Sequence, residues 1–254
     1  MTPLLAADEV APVIHERTTA ASPFLISCDH AGNLIPRCLG DLGVSPADLE
    51  RHIAWDIGAL GVARELAQLL DGELVAQRYS RLVIDCNRPP DSAELITTRS
   101  ETTDISGNRA LPLAAREARI SFIYAPYHRH LRAVLDARGA NTRQTIFVAV
   151  HSFTPVYLGQ VRPWHVGILS GNDRRLAEPM LEFLRRHSDL CVGDNEPYRV
   201  DKKDYGIPVH ALARGLPHVL LEIRQDLIAQ AAGQRVWAQR LADVLNAARA
   251  VLKI

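Results

Sequence analysis

Apolar residues recur along the chain in two rhythms. Short continuous runs rich in Val, Ile, Leu and Phe lie at Phe24–Cys28, 82–86, 146–150, 166–170 and 218–223, with a weaker one at Glu73–Gln77. Runs of this length read as strands buried on both faces. Between them lie longer stretches with helical spacing. Leu241, Val244, Leu245, Ala248, Val251 and Leu252 fall at i, i+3, i+4, i+7, i+10 and i+11, one apolar stripe on a covering helix. Residues 56–70 carry Ile57, Leu60, Leu66, Leu69 and Leu70 in a similar arrangement and stop at Asp71-Gly72, a glycine-assisted helix end. Residues 109–138 and 173–187 also read as helices. Strand runs alternating with helical stretches predict an α/β fold in three layers, a mostly parallel sheet flanked by helices. Two polar stretches, 97–108 and 193–205, break the pattern and predict long loops. Loops of that length in a compact domain tend to be functional, so both are lid candidates.

Composition narrows the function classes. The 254 residues are 47% hydrophobic and 23% charged, and Lys+Arg 29 balance Asp+Glu 29. That composition supports a packed core and excludes a disordered tail. The length suits one large α/β domain over residues 1–254, with residues 1–20 as an N-terminal extension. A neutral balance without a Lys/Arg block argues against a nucleic-acid partner. No apolar run approaches the roughly 20 residues that span a bilayer. Met1–Val10 carries acids and no basic segment, unlike a secretory leader, so the expected location is the cytoplasm. Cys28, Cys38, Cys86 and Cys191 form no CxxC pair and read as small reduced core residues.

The chemistry lies where the strand runs end. His30 follows Phe24–Cys28, Asn87 and Arg88 follow 82–86, His151 follows 146–150, and Glu222 closes the run that begins at Val219. In an open parallel sheet the carboxyl ends share one edge, and ligands bind in the crevice there. Two histidines and a carboxylate make a three-ligand site of the catalytic zinc type, with a further Glu as base. Glu222 suits the base. Arg88 offers a planar two-pronged donor for a substrate carboxylate, and Asn87 adds hydrogen bonds. Each residue also has an ordinary structural role. A strand-end His caps locally, Arg88 pairs with Asp85 or Asp91, Glu222 pairs with Arg224 two residues away, and Asp56 is an acid in a first helical turn. Cys28 and Cys86 lie beside the site, but apolar strand positions favour inert thiols. The chain has no G-x-S-x-G elbow, P-loop, G-x-G-x-x-G or H-E-x-x-H motif.

Several longer blocks carry a family resemblance. They are Ser27-Cys28-Asp29-His30-Ala31-Gly32-Asn33-Leu34-Ile35-Pro36, His52-Ile53-Ala54-Trp55-Asp56-Ile57-Gly58, and Ser80-Arg81-Leu82-Val83-Ile84-Asp85-Cys86-Asn87-Arg88. His151-Ser152-Phe153-Thr154-Pro155, Asn195-Glu196-Pro197-Tyr198 and Leu221-Glu222-Ile223-Arg224-Gln225-Asp226-Leu227 follow in the same order. Together they resemble the N-formylglutamate amidohydrolase family across about residues 24–227, a family similar to the zinc carboxypeptidases and aspartoacylases.

The resemblance implies a zinc-carboxypeptidase-like mixed sheet and one divalent metal, zinc, with His30 and His151 as ligands. Carboxypeptidase-like enzymes have a Glu three residues after the first His. Asn33 stands there, so Asp56 becomes the expected middle ligand. Glu222 is the implied general acid/base, and Arg81 corresponds to the arginine that polarises the scissile carbonyl. Asn87 and Arg88 match the substrate-carboxylate pair, while Tyr198 and His210 are expected substrate contacts. The implied substrate is a small acidic N-acyl amino acid, N-formyl-L-glutamate, cleaved to formate and L-glutamate. Three alternatives stay open: a deacylase or exopeptidase acting on another N-acyl substrate, a catalytically silent protein that binds an acidic metabolite, and a metal-free amidase.

Overall fold

The computed structural model describes residues 3–254. The leader expectation at Met1–Val10 therefore falls partly on residues 1–2, outside the described residues. Seven strands form one sheet: β1 (Val13–Glu16), β2 (Phe24–Cys28), β3 (Glu73–Gln77), β4 (Ile146–Phe153), β5 (Val166–Leu169), β6 (Val192–Asp194) and β7 (His218–Arg224). Their order is β1-β3-β2-β4-β7-β5-β6. The four central strands β3, β2, β4 and β7 run parallel, whereas β1 is antiparallel to β3 and β5 is antiparallel to β7. The sheet is thus mixed and mostly parallel, with the reversed strands at its margins.

Helices cover both faces, which completes the three layers. One face packs on α1 (Ala59–Leu69), α4 (Ala177–Arg185) and α5 (Ala231–Leu252). The other packs on α2 (Leu113–Arg119) and α3 (Ala125–Ala140). Alternation along the strands sorts the side chains. Val148, Val150, Leu221 and Ile223 join the first face, and Phe147, Ala149 and Leu220 the second. His151 and Glu222 continue the second series and stand on that face. The two residues are partners in the parallel register of β4 and β7.

Several elements differ from the sequence pattern for identifiable reasons. The apolar run 82–86 is a buried chain of turns with no ladder partner. Asn108 and Arg119 cap the carbonyls of Leu82 and Val83 at 2.8 and 2.9 Å, so side chains replace the strand that its composition suggests. The stretch 109–138 resolves into α2, a five-residue π turn at Ile120–Tyr124, and α3. Pro126 follows that turn and has no N–H to donate backward, a local reason for the wider loop. Helix α1 begins at Ala59 rather than residue 56, behind Gly58 at φ +79°. A Cβ on Gly58 would lie 2.1 Å from the Ile228 carbonyl oxygen. The late start leaves Asp56 outside the helix and free to face the cleft.

The two polar stretches are partly structured. Residues 97–108 hold a short hairpin of Arg99–Ser100 with Thr103–Asp104 and a 3-10 turn at Ser106–Asn108. Strand β6 opens 193–205. Cys28 and Cys86 are fully buried, while Cys38 is exposed and Cys191 half-buried, so only two of the four cysteines are core residues. Among the described residues no helix is long and apolar enough to cross a membrane.

Candidate active site

A cleft of about 580 Å³ opens over the carboxyl ends of the parallel strands, and His30, Asp56, Arg81, His151, Tyr198 and Glu222 all line it. The turn after β2 supplies His30. Asp56 comes from the turn before α1, joined to His30 by a backbone bond from its N–H to the His30 carbonyl at 3.0 Å. His151 and Glu222 come from the adjoining strands β4 and β7. Residues far apart in sequence meet here because parallel strands deliver their ends to one edge.

The side chains converge on one carboxylate. His151 Nδ1 lies 2.9 Å from Asp56 Oδ2, His30 Nδ1 lies 3.4 Å from the same oxygen, and the Ser152 N–H donates to it at 3.3 Å. One donor atom from each of His30, Asp56 and His151 falls within 4.8 Å of the others, and all three residues are buried. The far nitrogen of His30, Nε2, is 2.7 Å from Asp85 Oδ1. A proton on Nε2 held by that carboxylate turns the Nδ1 lone pair toward Asp56 and His151. Two imidazoles and one carboxylate, buried and with one tautomer fixed from behind, fit a divalent cation of the zinc class. Asn33 plays no part. Its amide donates to the Leu49 carbonyl at 3.0 Å and to Glu50 at 3.3 Å.

Charge and burial set the protonation pattern. Burial raises the Glu222 carboxyl, the nearby Asp56 charge adds to that against the opposing His151, and the group is held at about 7. Glu222 Oε2 is buried and has no hydrogen-bond partner. Burial alone would lower His151, but the bond to Asp56 and its charge outweigh it and lift the imidazole to about 9. Asp56 is held well below the usual carboxylate range, since the neighbouring histidines overcome its desolvation. Asp85 is depressed in the same way by Arg81 and His30. Arg81 is itself occupied: its Nη2 meets Asp85 Oδ2 at 2.7 Å and its Nη1 lies 3.5 Å from Asp56 Oδ1.

The remaining expected site residues separate. Arg88 lines the cleft and pairs with Glu94 at 3.1 Å and Asp204 at 3.4 Å, not with Asp85 or Asp91. Asn87 is largely spent within the protein. Its carbonyl oxygen accepts from the Tyr205 and Gly206 N–H groups at 3.2 and 2.9 Å, and its amide donates to Asp204 at 3.1 Å. A Cβ on Gly206 would come within 2.9 Å of Asp29 Oδ2, so the segment needs glycine to lie this close. Tyr198 is 43% exposed at the cleft wall. His210 is a correction. It sits on a π turn at Ile207–Ala211, has no exposed surface, and meets His128 Nδ1 through its Nε2 at 2.9 Å, away from the cleft lining. Arg224 pairs with Asp226 and leaves Glu222 alone.

Sequence reasoning gave no site role to Asp85 and Asp29. Asp29 accepts a bond from the Tyr127 hydroxyl and lies 3.9 Å from His151 Nε2. Asp29 precedes His30 directly and Asp85 stands two residues before Asn87. That adjacency was their only signal.

A three-layer α/β fold presenting imidazoles, a buried unpaired carboxyl and arginines in one polar cleft brings together the groups that a hydrolytic enzyme uses. Comparison with known proteins resolves the class further. The chain belongs to the N-formylglutamate amidohydrolase family, whose sequence profile matches residues 22–229, and it is a hydrolase acting on amide bonds. A gene product of Agrobacterium tumefaciens with a crystal structure is 40% identical, with TM-score 0.95 over 99% of this chain and 100% of that one. An N-formylglutamate amidohydrolase from Ralstonia eutropha JMP134 shares the fold at 20% identity, with TM-score 0.70 over 96% and 99% of the two chains. No protein of curated function matches.

Proposed function

We propose that this protein is a metal-dependent amidohydrolase that converts N-formyl-L-glutamate and water to formate and L-glutamate. The observation that carries the reading is the buried set of His30, Asp56 and His151 beside Glu222, whose Oε2 has no partner in the protein. His30, Asp56 and His151 would hold the ion, zinc by donor type. When bound, such an ion supplies Lewis acidity at the cleft floor.

The chain's own residues supply the proton transfers and the orientation. Glu222, held near 7, accepts a proton at Oε2 from the attacking water and returns it to the departing amine nitrogen as the C–N bond breaks. The water oxygen ends in formate and the nitrogen leaves as the amine of glutamate. Arg88, at the cleft wall, exchanges its exposed partner Glu94 for the substrate carboxylate and fixes the amide in place. Arg81 presents positive charge toward the oxygen that becomes negative.

Formate release from N-formyl-L-glutamate, followed before and after chelator dialysis and paired with metal analysis, tests the reading. The expected result is about one zinc per chain, with activity lost on chelation and restored by zinc. Formate release that survives complete metal removal overturns the metal dependence. Metal-replete protein that releases no formate overturns the substrate. Glu222→Gln should cut kcat by a factor on the order of a thousand or more with metal content unchanged.

A further inference from the structure

Each imidazole of the candidate metal set has a carboxylate behind it. Asp85 meets His30 Nε2 at 2.7 Å, a formed hydrogen bond. Behind His151 stands Asp29, and there the bond is unmade, because Asp29 Oδ2 lies 3.9 Å from His151 Nε2. Both sides of that gap are unsatisfied. His151 Nε2 is buried and has no hydrogen-bond partner, and among the described residues no group donates to Asp29 Oδ2. Gly206 passes close enough that a Cβ there would stand 2.9 Å from Oδ2, but its N–H is already given to Asn87. The His151 ring is the donor that remains.

Asp29 is held independently of His151. The Tyr127 hydroxyl donates to Oδ1, and Tyr127 is a fully buried residue of α3. Asp29 itself is only 2% exposed, and a carboxylate so enclosed is costly while one of its oxygens is unfilled. The proton of the imidazole decides what fills it. In this structure Nδ1 of His151 is bonded to Asp56 Oδ2 at 2.9 Å. A neutral imidazole has a single N–H, and a nitrogen that gives its lone pair to a cation cannot carry it. With Nδ1 serving as ligand, the N–H is therefore on Nε2, the nitrogen that faces Asp29.

We propose that Asp29, clamped by Tyr127, is a positioning residue that accepts the His151 Nε2–H and so fixes the ring with its Nδ1 lone pair turned to the ion. The inference rests on the metal reading above, with His30, Asp56 and His151 as ligands. Asp85 acts on His30 in the same way, so each ligand ring is anchored from behind by its own carboxylate. Such a carboxylate also raises the basicity of the ligating nitrogen and tightens its hold on a cation.

The test measures the zinc affinity of the full chain by competition with a chromophoric chelator, beside the Tm of the metal-free protein. Asp29→Asn removes the charge at little change in shape and should weaken zinc binding by roughly ten- to hundredfold. Tyr127→Phe removes only the hydroxyl that holds Oδ1 and should weaken it by roughly two- to tenfold. That second variant carries the test if the first does not fold. In the zinc-loaded wild type, NMR of isotope-labelled histidine should show His151 as the Nε2–H tautomer. Unchanged zinc affinity in folded Asp29→Asn, even with a lowered Tm, overturns the inference and leaves Asp29 as a packing partner of Tyr127. A His151 that carries its proton on Nδ1 in the zinc-loaded protein overturns it as well. A wild type that binds no zinc refutes the metal reading itself, and this inference with it.

Discussion

Asp85→Asn is the sharpest probe of how the site is held. Asp85 Oδ1 accepts from His30 Nε2 at 2.7 Å and from the Asn87 N–H at 2.8 Å, and Oδ2 accepts from Arg81 Nε and Nη2 at 3.1 and 2.7 Å. Asparagine can keep the first oxygen's bonds. Its amide nitrogen then faces the Arg81 fork, donor against donor, and both charge-assisted bonds are lost. Each such bond contributes about 1.5–3 kcal/mol. Arg81 keeps Asp56 at 3.5 Å, and its side chain is 27% exposed, so water recovers part of the loss. The net destabilisation comes to about 3 kcal/mol, within the range for breaking one half of a buried pair. In a chain of this size each kcal/mol shifts Tm by about 2–4 °C, so calorimetry on metal-free protein should show a fall of about 6–12 °C. The pH dependence has a definite sign. The folded Asp85 carboxyl lies below its ordinary 3.8, so its stabilisation is present above that value and is lost as pH falls further. The variant should therefore approach wild-type stability in strong acid. A Tm change under about 2 °C at neutral pH would refute the view that Asp85 anchors Arg81.

Two further predictions concern the periphery of the site. Burial holds His210 at about 4 against an ordinary 6.5, so the unfolded chain binds more protons between those values and stability falls as pH drops through that window. Urea unfolding should show about 2 kcal/mol less stability at pH 5 than at pH 7 from this group, with His128 acting in the same direction. His210→Gln should flatten the slope, and an unchanged slope would refute the assignment. Burial raises the Cys28 and Cys86 thiols well above their ordinary value, so a thiol-titrating reagent should label exposed Cys38 first and reach those two only on unfolding. Early labelling of Cys86 would contradict its packing.

What was legible in the sequence follows from what periodicity can encode. Phe24–Cys28 and the runs containing His151 and Glu222 are buried on both faces, so composition alone marked them as strands. The run 82–86 carries the same composition and is equally buried, but its carbonyls are capped by Asn108 and Arg119 from distant elements. Nothing local distinguishes a side chain from a neighbouring strand as the partner. Strand-end placement with the family blocks pointed to His30, Asp56 and His151, which the fold brings within 4.8 Å of one another. His210 misled because the sequence does not say which way a π turn aims its ring.

The rung that pairs His151 with Glu222 has a consequence for how this enzyme can change. The spacing of two residues on neighbouring strands is set by backbone hydrogen bonds at about 4.8 Å, whatever side chains stand around them. A one-residue slip would turn one of the two to the opposite face, so the pairing of these two side chains tolerates no insertion within β4 or β7. The cleft's outer wall, built in part from the hairpin of Val156–Tyr157 with Gln160–Val161 after β4 and from the segment after β6, is under no such constraint. Divergence can rewrite that wall while the imidazole and the carboxyl keep their separation.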